Sequence, residues 1–182
     1  MDWLNENFGE WKPISRLGAG VWLVLYVLFL FYAYANAPNF LFPDFVNLMI
    51  HEAGHPLFSF FGNTLMLLGG TLLELIVPAA CAIYFFFQRQ PFGLAFSSFW
   101  FFENFLYIGT YMADARMDSL PLVGSETSDW LLLFGQWNLL LYDQKIGHTF
   151  RFLGWLGMLA TIAWLAYRTY RSDQPHLKPL EL

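Results

Sequence analysis

The sequence predicts an all-α, polytopic membrane protein with about four to six membrane segments, one of which can re-enter from the side it came from. Two observations carry this. Hydrophobic residues make up 57% of the chain and charged residues only 13%, against roughly a quarter charged in ordinary soluble domains. The missing charge is also concentrated in long runs: none occurs between Arg16 and Asp44, and such a run matches the roughly 20 apolar residues that cross a bilayer core.

Taken in order, residues 1–16 place Trp3, Leu4, Phe8 and Trp11 at helical spacing opposite Asp2, Glu6 and Glu10, which predicts a short interfacial helix with aromatic anchors. A membrane-embedded region then occupies residues 17–168, and 169–182 form a polar tail. The first span covers about 17–35. Ala33-Tyr34-Ala35 is similar to a signal-peptidase site, but the run before it is long for a cleaved signal, so a retained span is expected. Pro38 and Pro43 interrupt the chain before a second apolar segment at about 45–62. Gly69-Gly70 punctuates the chain beyond that segment, and a third segment runs from about 71 to 87. A fourth extends from Pro91 to about Ala113 and carries Glu103 near its middle. Residues 114–129 read as a polar loop. The apolar stretch 130–142 is too short for an ordinary span and can lie in the interface or re-enter. A last span covers 152–167.

Basic residues set the orientation. If the second segment and its glycine-rich continuation form a re-entrant hairpin, the N-terminus, Arg89 and the C-terminal tail share one side with six of nine Lys and Arg residues. If every segment crosses, the split is five to four. The first arrangement puts both termini in the cytoplasm. The net charge of −5 and the lack of a basic tract exclude a nucleic-acid partner. One cysteine, Cys81, permits neither an intrachain disulfide nor a cysteine metal cage.

The chemistry is concentrated in His51-Glu52-Ala53-Gly54-His55. Four residues separate the histidines, so on a helix both imidazoles can reach one Zn2+, while the glutamate beside them can take a proton from the water that the metal activates. His51 and His55 are thus expected ligands and Glu52 the general base. Ionisable side chains inside a membrane segment are costly and usually functional. Pro56 should kink the helix directly after the motif.

A catalytic zinc commonly takes three protein ligands, so a third must come from elsewhere. Glu103, Tyr107, Tyr111 and Asp114 share one face of the fourth segment. If the second segment enters near Asp44, the histidines lie on the order of 10–16 Å below that surface, and Glu103 lies about 16 Å below Asp114. Glu103 and Asp114 are therefore the leading candidates, with Asp129 behind them. Asp114 could instead pair with Arg116, and Asp129 could cap the following helix. Asn104 and Glu74 are placed as supporting residues that hydrogen-bond the ligands. His148 and His176 read as surface histidines.

An HExGH motif in a membrane segment followed by Gly69-Gly70 resembles the site-2 protease family of intramembrane zinc metallopeptidases, and in particular its compact bacterial relatives. In those, a later helix ends in an aspartate followed by a small residue and a Leu-Pro, similar to Asp114-Ala115 with Leu120-Pro121 here. The family's Leu-Asp-Gly signature is absent. The resemblance spans roughly residues 45–130. It implies a bacterial cell-membrane protein, surrounded by lipid, that cleaves transmembrane or membrane-proximal protein substrates. A zinc hydrolase of lipid or amide substrates and a non-catalytic membrane scaffold are the alternatives, and the intact Glu52 argues against the scaffold.

Overall fold

A computed structural model describes residues 9–121, 123 and 127–172. Six α-helices account for most of them: α1 (Arg16–Asn36), α2 (Asp44–Phe58), α3 (Asn63–Phe87), α4 (Pro91–Ala113), α5 (Asp129–Gln136) and α6 (Asp143–Ser172). Short 3₁₀ turns, Ser59–Phe61 and Leu140–Tyr142, precede α3 and α6. No strand occurs among the described residues. Three helices are long and apolar enough to cross a membrane: α1, α3, and α6 with the turn before it. Their outer faces leave large apolar side chains uncovered, among them Leu28, Phe31, Ile83 and Leu156.

Helix α4 is not among those three, because it carries Glu103 and Asn104 and is interrupted by small polar residues. It is nevertheless the centre of the fold and packs on both α3 and α6. Small residues allow that approach: a Cβ on Gly109 would fall 2.5 Å from the Gly147 carbonyl oxygen, and one on Gly154 2.8 Å from that of Phe102. Such small-residue contacts let helix backbones meet where lipid offers no hydrophobic drive. Along α1, Trp22 meets Phe96 and Tyr26 stacks on Phe99 at 4.4 Å, so α1 runs parallel to α4. Helices α3 and α6 run antiparallel to it.

One end of the bundle gathers basic residues. Lys12 N donates to Arg89 O at 2.9 Å, and the Arg89 and Arg168 guanidinium groups both lie over the Trp11 ring. The start of α1, Arg89 and the end of α6 thus share one end, as the charge count expects. Residues 9–15 are not helical, which departs from the expected interfacial helix; its remaining residues, 1–8, lie outside the described residues, as do 173–182 of the tail. Helix α6 begins nine residues before the expected span.

The route to that shared end differs from the expected one. Gly69-Gly70 does not punctuate the chain but lies inside α3; the turn falls at Gly62, whose φ of +96° suits glycine. The out-and-back excursion is made instead by residues 37–43. After α1 the chain folds inward until Phe42 N donates to Tyr32 Oη at 3.1 Å and the Phe42 ring meets Phe29. Helix α2 therefore starts inside the bundle, with Asp44 only 2% exposed, and rises toward the end opposite the basic one. This reverses the direction assumed when Asp44 is taken as an edge. Pro56 falls in the last turn of α2, which gives way to the 3₁₀ turn after Phe58.

Candidate metal centre

The hairpin of α2 and α3 builds most of the site. Its two backbones touch where a Cβ on Gly54 would lie 2.1 Å from the Gly69 carbonyl oxygen. At Gly70 a Cβ would lie 2.5 Å from His51 Nε2, so this glycine makes room for the imidazole. The one-turn offset expected from the sequence holds. His51, Glu52 and His55 each offer a ligand atom within 4.8 Å of one another, and the two rings stand edge to face at 4.9 Å.

Both imidazoles are oriented through Nδ1. His55 Nδ1 lies 2.9 Å from the Met66 carbonyl oxygen, which can only accept, so that nitrogen carries the proton. His51 Nδ1 lies 2.9 Å from Glu74 Oε2, an acceptor when the acid is ionised. A neutral imidazole protonated at Nδ1 presents a lone pair at Nε2. Both Nε2 atoms point at Asp129 Oδ2, at 3.2 Å from His51 and 3.4 Å from His55. Facing Asp129 Oδ2, each Nε2 either donates to it as an imidazolium or shares a cation with it. Two ligand atoms at about 2.0–2.1 Å from a tetrahedral zinc stand about 3.3 Å apart, which the two distances to Asp129 match.

Of the three acids named as candidate third ligands, Asp129 is the one the fold brings to the histidines. Ser128 caps α5 through Oγ, leaving the Asp129 carboxylate for the site. Tyr111 anchors it twice, accepting from Asp129 N at 3.1 Å and donating to Oδ2 at 3.4 Å. Glu103 lies eight residues before Tyr111, about 12 Å along α4, and accepts from Asn47 Nδ2 at 3.0 Å. Asp114 serves the loop: Ser119 N, Ser119 Oγ and Leu120 N donate to it at 2.8, 2.5 and 2.9 Å. Arg116 does not pair with Asp114 but with Asp143, Nε to Oδ2 at 2.8 Å. The expected depth match failed because α2 rises from inside the bundle. The histidines sit about one turn from the end of α4 and the start of α3, whereas Glu103 is level with the buried foot of α2.

Glu74 contacts His51 Nδ1 directly. Asn104 reaches the site only indirectly, through its Nδ2 bonds to the Glu74 and Trp100 carbonyl oxygens. Sequence reasoning missed the Met66 carbonyl, since a backbone acceptor leaves no mark in residue types. A cavity of about 320 Å³ is lined by the histidines and Glu52 together with Leu120, Pro121 and Val123. The chain matches no protein-family model, no curated protein and no solved structure.

Proposed function

We propose that this chain is a membrane-embedded, zinc-dependent hydrolase that cleaves peptide bonds in or near the bilayer. The observation that carries the reading is the convergence of His51 Nε2, His55 Nε2 and Asp129 Oδ2 at 3.2 and 3.4 Å beside a cavity that also admits Glu52. His51, His55 and Asp129 would hold the ion. When bound, zinc supplies Lewis acidity, which polarises a carbonyl and makes water reactive near neutral pH.

The chain's own residues do the rest. Glu52 takes a proton from the attacking water and returns it to the leaving amine. Glu74 and the Met66 carbonyl hold the two imidazoles in one tautomer and orientation. Tyr111 steadies Asp129, and Leu120, held by Asp114 through its N–H, lines the cavity beside Pro121. Membrane embedding is supported by the three long apolar helices and their uncovered faces. The basic residues gathered at one end favour a cytoplasmic location for that end and both termini. The resemblance to site-2 proteases supports a peptide substrate and a bacterial cell membrane.

The test is metal content by mass spectrometry on detergent-purified protein, paired with hydrolysis of membrane-segment peptides by wild type and Glu52→Gln. About one zinc per chain, with cleavage that Glu52→Gln abolishes, is the expected result. A second reading rests on the same distances: protonated histidines ion-paired with Asp129 in a non-catalytic scaffold. Protein that takes up no zinc after gentle purification and zinc addition would establish that reading instead. Zinc uptake with hydrolysis of lipid amides alone would transfer the site to that substrate class.

A further inference from the structure

The cavity over the metal centre continues past it. A larger hollow of about 830 Å³ shares Leu48, Tyr107, Leu120, Pro121 and Val123 with the first. It crosses the face of α4 to α6, where Gln144, His148 and Arg151 line it. Most of its wall is apolar or aromatic. Its polar residues include Asp114, Gln144 and His148, and Arg151 brings a permanent positive charge.

Arg151 lies eight residues into α6, about 12 Å along the axis from Asp143. Its stem packs on Gly109, where a Cβ would lie 2.7 Å from Arg151 Cγ. Among the described residues it forms no ion pair. Two acids line hollows that it also lines, and neither pairs with it. Asp114 accepts from Ser119 and Leu120, and Asp44 accepts from Leu41 N at 2.6 Å. Arg151 is half-buried just before the expected last span, and its planar guanidinium fork suits a carboxylate. The hollow therefore pairs an apolar channel with a cation at the end away from the metal centre.

We propose that this groove reads a negative charge on the substrate through Arg151, with His148 beside it, and that the group read is an acidic side chain of the peptide. Helix axes in contact lie about 8–10 Å apart, so a peptide crossing α4 from the metal centre to α6 spends about three extended residues. The acidic residue is accordingly expected about three positions from the scissile bond. The inference rests on the hydrolase reading for the position of that bond, but the charge preference itself does not.

The experiment uses full-length Glu52→Gln protein in detergent, zinc-loaded, and fluorescein-labelled Leu/Ala-rich peptides carrying one Asp or one Asn at scanned positions. The expected result is about tenfold tighter binding of the best Asp peptide than of its Asn partner, which corresponds to roughly 1.4 kcal/mol. Arg151→Met, which keeps the stem against Gly109, should bind both peptides as wild type binds Asn, and Arg151→Lys should recover part of the preference. Equal binding of Asp and Asn peptides to the unaltered groove overturns the proposal, whatever the variants do. So does a preference that survives Arg151→Met. Phosphatidylglycerol vesicles that displace the Asn peptide unless Arg151 is replaced would assign the charge to a lipid phosphate, again overturning it. A preserved Asp preference in protein that binds no zinc would instead sink the hydrolase reading and leave a peptide-binding groove.

Discussion

The candidate metal centre and the Asp44–Glu103 cluster both bury acids among apolar helices, but their hydrogen bonding differs in kind. In the deeper cluster, donors meet acceptors. Asn47 Nδ2 donates to Glu103 Oε2, Trp100 Nε1 donates to Asn47 Oδ1 at 2.8 Å, and Leu41 N donates to Asp44 Oδ2. At the candidate metal centre, two imidazole Nε2 atoms face one carboxylate oxygen. A network of the first kind ties α2 to α4 and needs no ion, although Asp44 Oδ1 and Glu103 Oε1 are left without partners. An arrangement of the second kind calls either for a metal ion or for protons on the imidazoles. Polar residues in an apolar protein therefore do not identify a site by their number. Their donor and acceptor pattern does.

Exchanging the acids separates the two clusters most directly. Asp129→Ala should lose the metal and all activity, whereas Glu103→Ala should keep one zinc per chain and lose about 1–3 kcal/mol of stability through its unpaired partners. Mass spectrometry and thermal unfolding separate the two outcomes, and zinc lost from Glu103→Ala with Asp129→Ala unaffected would reverse the assignment. Next in size, Glu52→Gln should retain the metal while hydrolysis falls by about 10²–10⁴-fold, because only proton transfer is removed. If turnover persists, the base is another group.

Smaller effects sharpen the picture of how the histidines are held. Glu74→Gln keeps an oxygen for His51 Nδ1–H but removes its charge, so zinc affinity should fall about 10–100-fold in a competition titration with a chelator. Gly70→Ala pushes a methyl group into the His51 ring and should weaken zinc to a similar degree without altering Asp129. Asp114→Asn is expected to do least. It loosens Ser119 and Leu120, so the apparent KM should rise while metal content and kcat stay near those of wild type.

Much of the fold is legible in residue order. The apolar runs mark α1 and α4 to within a residue or two, and His51, Glu52 and His55 are a one-turn pattern that any helix would present together. Helix α4 shows the limit of composition: Glu103 and Asn104 lower its apolar character, yet it occupies the centre, where polar side chains can find partners on α2 and α3. The glycines show another limit. Gly69-Gly70 reads as a break, but in the fold these residues let α2 and α3 touch.

Most helices, the apolar surface, the basic end and the local HExxH geometry are legible in residue order, because they depend on neighbours within a turn or on composition. Only the tertiary structure decided which acid meets the histidines. That choice depends on the direction of α2, and the direction is set by the chain between Ala37 and Pro43 folding back against Phe29 and Tyr32. A short stretch with two prolines does not announce where it leads. Once α2 starts inside the bundle, His51 and His55 rise toward the end where α5 lies, Glu103 is left about two turns too deep, and Asp129 closes the site.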